Sequence, residues 1–309
     1  VNKKVHIADI GASGGLHKRW KKSLLPVHAY LFEPDSAAAA ALVSDRDSTV
    51  FPFALWDRDA DDNPFYMARQ DCSTSSLLRP NMPLLERWPD SERFETGNVV
   101  SMPTRTLDSL AEEGVIPALD MLKLDIQGAE LGVLSHATRL LPQAIGLEVE
   151  VGFVEMYQGQ PLFRDIDAFL SGHGFELFDL RRVWWQRRKP RYCAQARGQL
   201  AFGDALYFRS PENVATLAGG NPRMAASAFC IYDCYGYYDL CQRLLDYHDI
   251  FEPADRKRFA EYLAGKCRSR VPHIPLERTV ENVCIRLLDF VFQRTPARHD
   301  KILGNRFFD

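Results

Sequence analysis

Four ionisable residues at the ends of two short apolar runs, Lys123 and Asp125, then Glu148 and Glu150, carry the chemistry this sequence offers. The run Asp120-Met121-Leu122-Lys123-Leu124-Asp125 ends in a carboxylate and is followed by Gly128 and by Glu130 in the first turn of a predicted helix. Period-two alternation puts Lys123 and Asp125 on the same side of a strand. The run Gly146-Leu147-Glu148-Val149-Glu150 repeats the form with two acids. If the two runs are neighbouring central strands, Asp125 and one of the glutamates meet over the sheet edge. A lysine and paired carboxylates at such a place can fix a ligand and move a proton.

A second constellation lies at the front of the chain. Val5-His6-Ile7-Ala8-Asp9-Ile10 leads straight into Gly11-Ala12-Ser13-Gly14-Gly15. This is the form of a buried parallel strand that delivers the chain to a ligand at its C-terminal end. Glycine lacks Cβ, so the backbone can turn sharply there and approach a bound molecule. The run Ala29-Tyr30-Leu31-Phe32-Glu33-Pro34 follows, again ending in an acid. An acid about 20 residues after a glycine turn is where nucleotide-binding βαβ units place their ribose ligand. The pairing says nucleoside without saying which one.

The elements that must hold these residues alternate. Strands are predicted near Val5–Ile10, His28–Phe32, Thr49–Ala54, Met121–Leu124, Ala144–Val149, Phe175–Leu180 and Ala205–Phe208, with amphipathic helices such as Thr106–Glu113, Gly128–Leu141 and Phe163–His173 between them. That alternation predicts a doubly wound α/β sheet with ligands at the carboxyl ends of its strands. Residues 57–100, rich in Asp, Ser, Pro and Arg, read as an insertion, a hairpin with a long loop. Ser210-Pro211-Glu212 reads as a helix start. Helical periodicity then continues around Met224–Tyr247, Ala254–Cys267 and Leu276–Gln293, which divides the chain into an α/β domain over 1–210 and an α-helical C-terminal domain over 211–309.

The 309 residues are 46% hydrophobic and 26% charged, with a net charge of −3, which gives no global attraction to nucleic acid or to an anionic membrane. No apolar run reaches the roughly 18 residues of a membrane span. The seven cysteines are odd in number and scattered, which favours reduced thiols and a cytoplasmic location. Cys230, Cys234 and Cys241 have helical spacing and read as small buried hydrophobes rather than the start of a metal site.

Several of these segments, in order, resemble the FkbM-type S-adenosylmethionine-dependent methyltransferases. They are the Asp9–Gly15 turn, Phe32-Glu33-Pro34, Ala54-Leu55-Trp56-Asp57, Thr106-Leu107-Asp108-Ser109-Leu110, the Lys123–Glu130 block and Asp204-Ala205-Leu206-Tyr207-Phe208. The likeness covers roughly residues 5–209. It departs from the family pattern at Ser13, usually asparagine, and at Gln127, usually glutamate. The second departure removes a carboxylate beside the expected reaction centre. The resemblance implies a Rossmann-like class I methyltransferase sheet of seven strands, the last antiparallel, and methyl transfer to an acceptor hydroxyl. It also implies a cofactor set. Asp9, Gly11, Ala12, Ser13 and Gly15 would hold the methionine part, Glu33 the ribose hydroxyls, Ala54 and Leu55 the adenine, and Ser75 and Ser76 would cover the cofactor.

Two catalytic schemes fit. In one, Asp125 or Glu150 is the general base and Lys123 fixes the acceptor. In the other, Asp125, Glu148 and Glu150 are oxygen ligands of a Mg²⁺ ion that orients the substrate. One of Glu148 and Glu150 is expected to face the site. His17 and His28 are weaker candidates for a base, with packing roles expected for both.

The acceptor reads as a small molecule or glycan hydroxyl, on a sugar or secondary metabolite. The stretch Arg181-Arg182-Val183-Trp184-Trp185-Gln186-Arg187-Arg188-Lys189-Pro190-Arg191-Tyr192 is either a solvated connector or a surface for an acidic glycan, nucleotide-sugar or phosphorylated lipid-linked acceptor. The C-terminal helices could pair subunits into a homo-oligomer. Two other readings stay open on the sequence alone: an NAD-dependent oxidoreductase, whose glycine turn the front half also fits, and a non-catalytic binding protein that kept the fold.

Overall fold

The computed structural model describes residues 3–42, 47–187 and 197–268. Strands and helices alternate as β1 (Val5–Ile10), β2 (Val27–Phe32), α1 (Ser36–Ala41), β3 (Ser48–Phe51), β4 (Ala54–Leu55), β5 (Ala60–Ala68), α2 (Met82–Leu85), β6 (Thr96–Arg105) and α3 (Leu107–Glu112). They continue as β7 (Met121–Leu124), α4 (Glu130–Ser135), β8 (Gly146–Gly152), α5 (Phe163–Gly172), β9 (Glu176–Trp185) and β10 (Gln199–Phe208). The chain then turns helical in α6 (Pro211–Leu217), α7 (Pro222–Tyr235), α8 (Tyr238–Leu245) and α9 (Pro253–Arg268).

Seven strands form one sheet in the order β3-β2-β1-β7-β8-β10-β9. All neighbours run parallel except β10, which is antiparallel to β8 and β9. This is the expected seven-stranded arrangement with its last strand reversed. The order switches direction at β1 and β7, whose C-terminal ends are the place for a ligand in such a sheet. The insertion is the expected hairpin, β5 against β6, with β4 completing a small second sheet.

The central strands β1 and β7 carry apolar residues on both faces, as burial under two layers of helices requires. On one face Ala8, Ile10, Leu122, Leu124, Leu147 and Val149 pack with Leu107, Val133 and Ile166 of α3, α4 and α5. On the other face Val5, Ile7, Met121, Leu206 and Phe208 form a single core with Phe229, Tyr232, Leu244 and Phe259 of α7, α8 and α9. The helices beyond residue 210 therefore roof the sheet itself.

Local readings differed in two places. The helix expected over Met224–Tyr247 is two, because Gly236 takes a left-handed φ of +84° and ends α7. Cys230 and Cys234 thus sit on α7 and Cys241 on α8. Cys230 and Cys241 are buried, and burial pushes the Cys230 thiol up to about 12, as their reading as small hydrophobes requires. The stretch from Arg181 is no connector at its start, because Arg181–Trp185 finish β9. Arg188, Lys189, Pro190, Arg191 and Tyr192 lie outside the described residues, as does the predicted helix Leu276–Gln293. Among the described residues, no helix is long and apolar enough to cross a membrane.

Candidate active site

A cavity of about 370 Å³ opens over the C-terminal ends of β1 and β2, a size that suits a small-molecule ligand, for which pockets run roughly 300–1,000 Å³. Gly11, Ser13, Glu33, Asp35, Ala54 and Leu55 form part of its wall, together with Ser73 and Ser75 of the insertion. Gly11 has a φ of +84°, and a Cβ there would collide with the carbonyl oxygen of Asp125, so the turn admits glycine alone. Glu33 is buried, which pushes its carboxyl above the usual range, and one of its oxygens accepts the Asp35 amide at 2.9 Å.

Asp125 and Gln127 line the same cavity and lead from it to a second feature. On the face of the sheet roofed by α7, apolar residues give way to charged ones near the strand ends. Asp9, Lys123 and Glu148 stand side by side in register across β1, β7 and β8, and Glu150 stands beside Asp204 of β10. Lys123 Nζ lies 3.2 Å from Asp9 Oδ1 and 3.9 Å from Asp125 Oδ2. The Tyr235 hydroxyl donates to Glu148 at 2.7 Å, and Arg19, stacked on the Tyr235 ring, lies 3.6 Å from the same carboxylate. Arg181 Nε and Nη2 both reach Asp204 at 2.6 Å. The Gln127 amide nitrogen donates to Asp125 at 3.1 Å and to Glu150 at 2.9 Å.

So many acids under one roof hold protons tightly. Burial pushes Asp9 and Asp204 up to about 6, and each is partly offset by its cation, Lys123 or Arg181. Burial and the neighbouring charges of Asp125, Glu130 and Asp204 hold Glu150 well above the carboxylate range. Glu130, pushed to about 7 by burial, accepts the backbone amides of Ile126 and Gly128 and so closes the turn after Asp125. Asp125 is the open member of the set, with 42% of its side chain exposed.

Comparison with known proteins supplies the deciding observation: residues 9–177 match the methyltransferase FkbM domain. The chain belongs to the FkbM methyltransferase family. It is 30% identical over 183 residues to the 2-O-methyltransferase NoeI of Sinorhizobium fredii, spanning 55% of this chain and 72% of NoeI. Among solved structures it is similar to M. jannaschii TYW2 in complex with AdoMet, at 12% identity and a TM-score of 0.30, covering 67% of this chain and 70% of that one. This FkbM-family protein is thus an S-adenosylmethionine-dependent methyltransferase, and the dehydrogenase reading of its glycine turn gives way.

Within this methyltransferase the predicted residues divide. Gly11, Ser13, Glu33, Ala54, Leu55 and Ser75 line the cavity, whereas Asp9, Ala12, Gly15 and Ser76 are not part of its wall. The Asp9 side chain, 5% exposed, turns to the α7 face, where Lys123 takes its carboxylate. Ser76 is buried and ties the insertion to the turn, donating to the Gln127 carbonyl at 2.8 Å. Lys123, Asp125 and Glu150 come together as expected.

The metal set does not assemble. Glu148 and Glu150 do share a face, as residues two apart on a strand must. Yet Glu148 is engaged by Tyr235 and Arg19 while Glu150 is held by Gln127. Among the described residues no trio of His, Cys, Asp or Glu is placed to hold a metal ion. His17 does not line the cavity: its Nδ1 accepts from Arg19 Nε at 2.9 Å and aims that arginine. His28 packs at the other end of the sheet against Tyr30.

Arg19, Tyr157, Asp204 and Tyr235 were not singled out as site residues. Tyr157 donates towards Gln127 at 3.0 Å. Asp204 carried a readable signal, an acid interrupting a strand that is otherwise apolar, but Tyr235 is one of many aromatics in its segment and carried none.

Proposed function

We propose that this methyltransferase transfers a methyl group to a hydroxyl of a sugar, glycan or secondary-metabolite acceptor. The observation that carries the reading is the double membership of Asp125, which lines the cavity and also belongs to the carboxyl cluster. A hydroxyl is a poor nucleophile until its proton is removed, and a partly open carboxylate at the junction can accept that proton. The name of the relative NoeI, a 2-O-methyltransferase, supports oxygen as the acceptor atom.

The cavity residues fit S-adenosylmethionine. Glu33 suits the ribose, since a carboxylate accepts from two neighbouring hydroxyls at once, and one of its oxygens is already steadied by the Asp35 amide. Ala54 and Leu55 offer apolar contact to the adenine, and the Gly11 turn lets the backbone approach the methionine part. When bound, the cofactor supplies a sulfonium-activated methyl, so the acceptor oxygen bonds to carbon as the carbon–sulfur bond breaks and its electron pair stays on sulfur. Asp125 takes the hydroxyl proton, Lys123 holds Asp9 and Asp125 in register, and the roof of α7 limits water.

The test is transfer of a radiolabelled methyl from S-adenosylmethionine to a panel of neutral methyl glycosides, acidic glycosides and small phenols. Label in a product stable to mild base, with the carbon attached through oxygen, is the expected result. Transfer confined to nitrogen or carbon nucleophiles would overturn the reading.

A further inference from the structure

The turn after β7 contains a conformation that its sequence makes expensive. Gln127 has a φ of +58°, one of two non-glycine residues with positive φ among those described. A residue with a Cβ costs roughly 1–2 kcal/mol in that region, and glycine or asparagine is its ordinary occupant. The next residue, Gly128, also has a positive φ, at +99°. A glycine at 127 would relieve the turn, yet a long side chain stands there. Its contacts explain why.

The amide nitrogen of Gln127 carries two hydrogens, and it has two carboxylates within reach, one hydrogen for each: Asp125 Oδ1 at 3.1 Å and Glu150 Oε2 at 2.9 Å. The amide oxygen faces the hydroxyl of Tyr157 at 3.0 Å, and that hydroxyl is also 2.9 Å from the carbonyl of Thr74. Tyr157 is fully buried, so the far end of the glutamine rests against a packed wall. The near end is fixed too. Ser76 bonds the Gln127 carbonyl, and Glu130 bonds the amides on either side, of Ile126 and Gly128. Lys123 faces the other oxygen of Asp125, while Asp204 with its partner Arg181 flanks Glu150 from β10.

We propose that Gln127 is a positioning residue for methyl transfer: its neutral amide bridges Asp125 and Glu150, orienting Asp125 as the base and keeping the two acids from competing. The proposal rests on the hydroxyl-transfer reading above. A glutamate at this position would have the same length, but it would put a third carboxyl where the two donated hydrogens are now. One of the three would then have to keep a proton at neutral pH, as crowded carboxylates do. An apolar side chain of similar size would keep the packing and remove both hydrogen bonds. Strain at the backbone is retained at sites where a side chain must be aimed, and here the aimed group is the amide.

The experiment compares wild type, Gln127→Glu and Gln127→Leu, each saturated with S-adenosylhomocysteine and carrying ¹³C-labelled aspartate and glutamate carboxyls. The titration of the Asp125–Glu150 pair is followed by NMR, with Asp125→Asn as the assignment control. Gln127→Glu is expected to move the apparent midpoints of the pair upward by about one unit or more, and Gln127→Leu by less. Affinity for S-adenosylhomocysteine should stay within a few-fold in both. With an acceptor from the glycoside panel, Gln127→Glu should lose at least about tenfold in kcat at pH 7 and regain part of it at pH 9. Unmoved midpoints in both variants, or a loss of kcat equal at every pH, would overturn the positioning role. Should Gln127→Glu fail to fold, the shift in Gln127→Leu decides alone. A wild-type protein that binds S-adenosylhomocysteine but methylates no hydroxyl would instead sink the reading on which the proposal rests, and the titration would still be legible.

Discussion

The cavity over β1 and β2 and the carboxyl cluster beside it share Asp125 and Gln127, yet they are built in opposite ways. The cavity comes from short, contiguous segments: a glycine turn, the end of β2, the Ala54-Leu55 pair and the serine loop, most of them apolar or backbone. The cluster takes one or two side chains each from β1, β7 and the turn after it, β8, β9, β10, α7 and the short turn after Gly15. The family match ends at residue 177, so Arg181, Asp204 and Tyr235 come from chain beyond it. A cofactor common to a family can be held by a fixed turn. On the reading proposed above, the acceptor side draws side chains from several elements, each free to change without disturbing the turn.

Replacing the shared carboxylate tests that division most severely. Asp125→Asn is expected to lower kcat by about 10²–10⁴-fold, the usual worth of a general base, with S-adenosylhomocysteine affinity nearly unchanged by calorimetry. A matching loss of affinity would place Asp125 on the cofactor side only. Glu33→Gln should do the reverse. It weakens cofactor binding by roughly ten- to a hundredfold, since hydrogen bonds to a charged group contribute about 1.5–3 kcal/mol, and leaves kcat at saturation close to wild type.

The cluster should also leave a signature in stability against pH. Asp9 titrates near 3.8 when unfolded and at about 6 when folded. Between those values the folded state binds more protons, so the Asp9 contribution to stability is lost as pH rises from about 4 to 6, and Glu130, pushed to about 7, extends the fall in the same direction. Asp9→Asn should remove a pH-dependent difference on the order of 2–3 kcal/mol from this limb of the stability–pH curve, leaving the smaller slope of the same sign that buried Glu33 contributes. The smallest expected effect is that of Tyr235→Phe. Losing one hydrogen bond to Glu148 should raise acceptor KM several-fold, about 1 kcal/mol, with cofactor affinity untouched. An unchanged KM would detach α7 from the acceptor.

Legibility followed the same division. The strands β1, β2 and β7, the insertion hairpin and the cavity residues Gly11 and Glu33 could be read directly, because a turn or a period of two is written in neighbouring residues, whereas Ser13, Ala54 and Leu55 came from the family resemblance. Asp9 was read as a ligand to the cofactor and turned out to face Lys123, since adjacency to the glycine turn says nothing about which face of the strand a side chain takes. The acids at 148 and 150 were legible as a pair but not as separately engaged groups, one under Tyr235 and the other on Gln127.

The sequence by itself determined the sheet, its glycine turn and the acids at its strand ends, because alternation, glycine placement and strand-end carboxylates are local constraints. Only the tertiary structure decided what those acids do. Strand order set Lys123 between Asp9 and Glu148, and the left-handed turn at Gln127 put one amide between two carboxyls. The roof of α7 brought Tyr235 to Glu148 across 87 residues of chain. A carboxylate's proton affinity and reach depend on partners within a few ångströms, and in this sheet those partners are far apart in sequence.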